Sequence, residues 1–275
     1  MRRVVPGALC PKSSAMTRWA ACIEYDGSDY HGWQSQPHAA SVQDALEHAL
    51  SKVADQPIRT VCCGRTDTGV HAQGQIVHFD TDVQRPARAW LMGSNRYLPD
   101  DIASQWFVPM PDTFHARFGA FAREYRYWVI DRDAPSALWR RRAWHSHHRL
   151  DDQAMHQAAQ ALVGRHDFSA FRAAGCQAKS PWRTIDHLTV ARHGDWLQID
   201  IRANAFLHHM VRNLVGSLAE VGRGRQSVGW IGQLLANRDR RLAGMTAPAC
   251  GLSLRRVHYP AEFQLPSATR DERGW

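Results

Sequence analysis

The stretch Ile185-Asp186-His187-Leu188-Thr189-Val190-Ala191, followed across Arg192-His193-Gly194-Asp195 by Trp196-Leu197-Gln198-Ile199-Asp200-Ile201, sets the fold class. Leu197, Ile199 and Ile201 fall on one side of a period-two pattern, with Gln198, Asp200 and Arg202 on the other. Two such runs joined at His193-Gly194 predict an antiparallel hairpin with one apolar face. That face needs a cover, and helical periodicity on both sides supplies it. Asp151 caps a helix carrying Met155, Ala158, Ala159, Leu162 and Val163, with Gly164 expected to close it. From about Leu207 to Val221 a second helix turns Val211, Leu214, Val215 and Leu218 inward, and Gly222 stops it. A short helix over Trp230 to Ala236 and a last strand from Leu252 to Tyr259 follow.

The same grammar appears upstream. Trp19 to Tyr25 reads as a strand ending at the Asp26-Gly27 turn, and Ser41 with Asp44 opens a helix whose Val42, Ala45, Leu46, Ala49, Leu50 and Val53 share a face. Ile58 to Cys63 is β-rich, Gly64 to Ala72 is a loop, and Gln75 to Phe79 is again a strand. Pro86 suits the first turn of a helix to about Tyr97, and strands are expected over Ile102 to Val108 and Ala122 to Ile130. Ala134 to His148 has no clear period and reads as an irregular connection. The expectation is an α+β protein: a mixed, mostly antiparallel central sheet flanked by helices, in two related α/β halves. The halves are placed at 17–133 and 151–262, with a loose extension at 1–16, a connection at 134–150 and a tail at 263–275.

Composition narrows the function classes. Charged residues at 22% and hydrophobic ones at 44% are ordinary for a globular chain and exclude disordered, collagen-like and coiled-coil proteins. No apolar run approaches the roughly twenty residues that cross a bilayer, so a soluble, cytoplasmic protein is expected. Pro6 and Gly7 interrupt an N-terminal apolar stretch already too short for a signal peptide, and Met16 stands as an alternative start. Six cysteines without a CxxC pair indicate reduced thiols and no zinc ribbon. The formal charge of +8 favours a polyanionic partner, because each cation docked on a phosphate releases condensed counterions. Arginine dominates these cations; it forks onto phosphates and stacks on bases, although a genomic compositional bias produces the same excess.

The densest cluster of reactive types is Cys63-Gly64-Arg65-Thr66-Asp67-Thr68-Gly69-Val70-His71-Ala72. A carboxylate on a glycine-bracketed loop leaving a strand is a candidate nucleophile or base. From spacing alone the same residues equally make a tight turn, with Asp67 satisfying backbone N–H groups and Arg65 in a surface pair. His145, His147, His148, His208 and His209 have no carboxylate or cysteine at ligand spacing, so no metal is expected and they read as an RNA-facing wall. Arg223, Arg225 and the run Arg238 to Arg241 are candidates for phosphate contacts.

Cys63 to Ala72 resembles the signature loop of the TruA-type tRNA pseudouridine synthases, and further segments resemble that family in order. These are Ile23 to Gly27 with Gly32-Trp33-Gln34; Phe114 to Phe118 with Arg123 to Tyr127; Ala203 to Asn213; and Ala247 to Leu254. The likeness runs from about Arg18 to Glu262. It implies isomerisation of uridines in the anticodon stem-loop of tRNA, at positions 38, 39 and 40, without cofactor or metal, by a homodimer. Carried over, Asp67 matches the catalytic aspartate, Tyr125 the active-site tyrosine, Arg212 the basic partner of the aspartate, and Leu252 the apolar residue beneath the base. Arg65 matches the arginine that keeps the target nucleotide out of its helix, and Arg123 and His208 are expected at the substrate. Thr68 departs from the alanine common at its position, and residues 1–17 have no counterpart.

The chemistry is consistent with these residue types. Uridine becomes pseudouridine when the C1′–N1 bond breaks, the uracil turns, C5 joins C1′ and the C5 proton leaves; nothing is oxidised, so no redox cofactor is called for. One ionised carboxylate suits attack on the sugar, attack on the base, or the proton abstraction that opens a glycal route. A nearby Arg212 would offset its burial. Tyr125 can lay its ring on a uracil and bring a hydroxyl to C5, while Tyr125 and Leu252 are also ordinary core residues by pattern alone. Two rivals stand: a non-catalytic RNA-binding protein, whose usual basic-Gly-Phe-Gly-Phe signature is missing, and a nucleoside or glycoside hydrolase, which needs a second carboxylate beside Asp67.

Overall fold

The computed structural model describes residues 16–266. The N-terminal extension, apart from Met16, and the end of the tail lie outside the described residues.

The strands are β1 (Thr17–Tyr25), β2 (Val61–Cys62), β3 (His71–Thr81), β4 (Ile102–Met110), β5 (Ala122–Asp131), β6 (Trp144–Ser146), β7 (Gly164–Asp167), β8 (Trp182–His193), β9 (Trp196–Ala203) and β10 (Leu252–His258). The helices are α1 (Val42–Ala54), α2 (Ala87–Tyr97), α3 (Asp152–Ala159), α4 (Met210–Gly222) and α5 (Trp230–Asn237). All strands belong to one sheet in the order β4-β1-β3-β10-β5-β9-β8-β7, with β2 added to β3 and β6 to β5. Pairing is antiparallel except between β10 and β3 and between β5 and β6. The α+β expectation therefore holds. Among the described residues no helix is long and apolar enough to cross a membrane.

The hairpin of β8 and β9 follows the period-two reading: Leu197, Ile199 and Ile201 are buried while Gln198, Asp200 and Arg202 are partly exposed. The buried side meets Met155 of α3 and Leu214 and Leu218 of α4 in one apolar cluster. A second cluster joins Leu46 and Leu50 of α1, Trp90 of α2 and Phe79 of β3, where the rings of Phe79 and Trp90 lie 5.2 Å apart. Tyr125 of β5 packs against both clusters. As predicted, Ser41 caps α1, its hydroxyl oxygen accepting from the Asp44 N–H at 3.1 Å.

Several boundaries moved, each for a local reason. The helix after Asp151 ends at Ala159 and tightens into a 3-10 turn over Gln160–Leu162, so Gly164 does not close it. Gly164 instead opens β7 opposite Ile185, where the chain must swing into an edge strand. The supposedly irregular 134–148 segment contains β6, held because Trp144 buries its ring against Tyr127, 6.4 Å away. Of Ile58 to Cys63 only Val61 and Cys62 pair as strand; the Thr60 N–H and hydroxyl both donate to the buried Glu47 carboxylate instead. The fourth helix begins at Met210, three residues late, because His209 takes a left-handed conformation at φ 59°.

β3 carries a buried histidine with a legible protonation state. His78 Nδ1 accepts from the Ala116 N–H at 3.2 Å, so that nitrogen is unprotonated. Burial pushes His78 down to about 4, helped by the neighbouring His115 and Arg18. In the unfolded chain the ordinary value is near 6.5. The fold is thus most stable, as far as this group is concerned, above about pH 6.5, and loses stability as the pH falls through the window toward 4, where the unfolded state binds the proton first. His78→Asn keeps an acceptor and removes the titration; its melting temperature should fall less between pH 6.5 and 4 than that of the unaltered protein, and parallel curves would contradict the assignment.

Candidate active site

The segment from Gly64 to Val70 leaves β2 and re-enters the sheet as β3, and neighbours from several elements hold its backbone. The Thr66 carbonyl accepts from the Trp33 N–H at 3.1 Å, and Thr66 Oγ1 lies 2.8 Å from the buried Tyr25 hydroxyl. The Val70 N–H closes a turn on the Asp67 carbonyl at 3.1 Å. Gly32 sits against this turn at φ +94°, and a Cβ there would stand 2.6 Å from the Thr66 oxygen, so only glycine lets the two loops touch. Gln75 Nε2 donates to the Gly64 carbonyl at 2.7 Å. His71 anchors the exit: its Nε2 lies within 2.9 and 3.1 Å of the Arg141 and Cys250 carbonyls, so that nitrogen carries a proton. Asp67 does make a tight turn, through its carbonyl, while its carboxylate stays clear of the loop backbone.

That carboxylate meets the first turn of α4. Oδ1 lies 3.5 Å from His208 Nε2, and Oδ2 lies 3.5 Å from His209 Nε2 and 3.7 Å from Arg212 Nη1. The Asp67 side chain is 26% exposed and that of Arg212 16%, so the pair is sheltered and still reachable. Arg212 is aimed by the backbone beneath it. Its Nε donates to the Ala247 carbonyl at 2.8 Å, and the Ala247 N–H donates back to the Arg212 carbonyl at 3.1 Å. The segment carrying Ala247 lies directly on α4, because a Cβ on Gly216 would come 1.7 Å from the Met245 oxygen. The positive end of the helix dipole adds to the attraction for the carboxylate. Burial lowers the His209 imidazole from its ordinary value against the opposing pull of Asp67.

Tyr125 points from β5 toward the same region, its ring edge-on to Phe206 at 5.1 Å. Burial pushes its hydroxyl well above the usual phenol range, with Cys63, Tyr25 and Asp67 adding to the shift, so it stays protonated at neutral pH. Leu252 begins β10 opposite Tyr127 and is buried in the apolar cluster that includes α3, α4 and α5. Arg65 is exposed on the loop. The structure thus brings Asp67, Arg212 and His208 together, with Tyr125 close enough to feel the Asp67 charge.

Other sequence readings are revised. Arg123, expected at the substrate, donates to the carbonyls of Ala120 and Asn204 through Nη1 and of Cys63 and Arg117 through Nη2. It ties the base of the Asp67 loop to β5 and the β9–α4 connection. The expectation that no carboxylate accompanies the histidines is overturned by tertiary contact, since Asp67 reaches both His208 and His209 from far away in the chain. His209, read from the sequence only as one of several histidines on an RNA-facing wall, joins the site beside His208; its position immediately before Met210-Val211-Arg212 is the signal that the sequence carries for it. Among the phosphate candidates, Arg223 and Arg225 pair with Glu220, Arg238 with Asp167, and Arg241 with Asp239.

A family model described as tRNA pseudouridine synthase matches residues 21–119 and 158–260. The chain is 56% identical over 244 residues to the tRNA pseudouridine synthase A of Actinobacillus pleuropneumoniae serotype 7, covering 89% of this chain and 93% of that one. It is 54% identical to that of Photorhabdus laumondii, over 90% and 93% of the two chains, and 53% identical to that of Hydrogenovibrio crunogenus, over 94% and 99%. The chain belongs to the tRNA pseudouridine synthase family. It is therefore an isomerase that modifies tRNA, and the Asp67 loop, the start of α4 and Ala247 all fall within the matched segments.

For this synthase the four carbonyls on Arg123 make a specific prediction. Arg123→Lys supplies a point charge that cannot span a fork of four acceptors. Stability should drop by about 1.5–3 kcal/mol, the scale of charge-assisted bonds lost from a partly buried group. The single-turnover rate should fall with it while the Kd for tRNA changes little; a variant with unaltered melting and rate would show that Arg123 does not position the loop.

Proposed function

We propose that this synthase converts uridines in the anticodon stem-loop of tRNA, at positions 38, 39 and 40, with Asp67 as the reacting carboxylate. The observation that carries the reading is the Asp67 carboxylate held over the start of α4, countered by Arg212 at 3.7 Å and accessible at 26% exposure. A carboxylate so placed faces a fixed cation and still meets an incoming nucleotide. The nucleotide must leave its stack to arrive, at a cost of a few kcal/mol that is smallest in a loop or at a stem end. Arg65, exposed one residue before Thr66, is placed to take the room the base vacates.

Within the site, Asp67 either bonds to the sugar at C1′ or to the base, or takes a proton from C2′ of the sugar; C1′–N1 breaks with its electron pair left on the uracil, the uracil turns, C5 bonds to C1′ as the Asp67 bond breaks or the C2′ proton is returned, and the proton lost from C5 is balanced by one taken up at N1. The Tyr125 ring supports the turning base. Its hydroxyl takes part in removing the C5 proton. Leu252 closes the floor under the base. His208 lines the entrance, 43% exposed at its side chain. The enzyme works in the cytoplasm as a homodimer whose two copies share one tRNA, and residues 17–133 and 151–262 form its related halves.

The Asp67→Asn variant should lose isomerisation altogether, by chemical mapping of pseudouridine in unmodified tRNA, and keep tRNA affinity within about threefold, since hydrogen bonds to a neutral amide replace a rim charge. Retained turnover would exclude Asp67, and release of free uracil would indicate a hydrolase. Binding should weaken with salt along a log–log slope of roughly 0.7 to 0.9 per phosphate contact. Affinity indifferent to ionic strength would count against recognition through the RNA backbone.

A further inference from the structure

Asp67, His208 and His209 offer a carboxylate oxygen and two imidazole nitrogens that all lie within 4.8 Å of one another. Consecutive side chains on a helix diverge by about 100°. Here they converge because His209 occupies the left-handed region at φ 59° and ψ 4°, a conformation that costs a non-glycine residue on the order of 1 kcal/mol. The result is two rings 4.0 Å apart at their centroids, each presenting Nε2 to a different oxygen of the same carboxylate at 3.5 Å. The peptide of His208 is pinned on both sides: its N–H donates to Cys176 Sγ at 3.4 Å and its carbonyl accepts from the Ala173 N–H at 3.1 Å.

We propose that this triad is a binding site for a late first-row divalent cation of the zinc class, and that occupancy switches the enzyme off. Donors about 2.0–2.2 Å from a tetrahedral zinc stand roughly 3.3–3.5 Å from each other; His208 lies 3.5 Å from Oδ1 and His209 3.5 Å from Oδ2, and one ligand atom from each of the three residues falls within 4.8 Å of the others, so a small rotation of the carboxylate and the rings closes the set. Two imidazoles and one carboxylate suit zinc, cobalt and nickel and disfavour magnesium, which prefers oxygen donors and keeps its waters. The side chains are 26%, 43% and 30% exposed, so an ion can enter from solvent and retain a water in its fourth position. Arg212 opposes a dication through Oδ2, yet its Nε is bound to Ala247 and Oδ1 faces His208. A metal on the carboxylate withdraws the lone pairs that any of the three chemical routes requires. The inhibitory half of this inference rests on Asp67 being the reacting group; the binding half does not.

Cobalt titrated into the full-length protein without tRNA tests binding. One equivalent should give the visible d–d bands of four- or five-coordinate cobalt, without the intense thiolate charge-transfer bands that binding to any of the six cysteines would add. Asp67→Asn should abolish these bands, and His208→Ala and His209→Ala should each weaken binding by at least about tenfold, the loss that even a supporting group produces in metal sites. Melting curves of each variant establish that it is folded. Isomerisation is then followed with enzyme in excess over tRNA: one equivalent of zinc should stop it, magnesium should not, and a chelator should restore it. No bands in the unaltered protein, or the same bands in Asp67→Asn, would overturn the site. Asp67-dependent bands with undiminished isomerisation would overturn the inhibition, whereas the role of Asp67 in the chemistry is judged separately by the isomerisation assay of Asp67→Asn without metal.

Discussion

The arrangement depends on the placement of β10 between β3 and β5. Ser253 and Leu254 pair in parallel with His71 and Ala72, the residues that follow the Asp67 loop. On its other edge, Leu252 and Leu254 face Tyr127 and Tyr125. A strand from the end of the chain thereby welds a core built on α1 and α2 to one built on α3, α4 and α5. The Asp67 loop itself bridges the two clusters, with Cys63 in the first and Val70 in the same cluster as Val211 and Leu214 of the Arg212 helix, and β10 fixes that bridge by pairing with the residues that follow the loop. Backbone pairing at the centre of a sheet is rigid because both edges of the strand are hydrogen-bonded.

Electrostatics at the site follow from that frame. Asp67 is drawn toward Arg212 and the start of α4, and those groups are themselves fixed by backbone contacts. Gly216 permits the Met245–Ala247 segment to lie on the helix, and Ala247 in turn holds Arg212. Arg123 performs the matching task on the other side, gathering carbonyls from the loop and from the β9–α4 connection. Pre-arranged charges of this kind need no reorganisation when substrate arrives, which is why they act strongly on developing charge.

The strain at His209 bears on the same point. A helix beginning with an ordinary extended cap would send His208 and His209 to different sides; the left-handed residue puts both on the carboxylate. Isomerisation of uridine does not itself require two imidazoles, and their convergence gives the site an affinity for transition metals that is separate from its chemistry.

Local signals in the chain were sufficient for much of this. Alternation in Trp196–Ala203, the Ser41 cap and the apolar stripes of α1 and α4 are short-range patterns, and they survive folding because burial acts on the same periodicity that makes them visible. The segments in family order pointed to Asp67, Tyr125 and Arg212. What the chain did not disclose was whatever required partners distant in sequence: the parallel pairing of β10 with β3 and of β6 with β5, the end of α3 before Gly164, the role of Arg123 as a backbone clamp, and the meeting of Asp67 with two histidines. Periodicity tells which face of an element is apolar; it contains no information about which distant carbonyl or carboxylate that element will meet, because those contacts are set by how the two cores dock along β10.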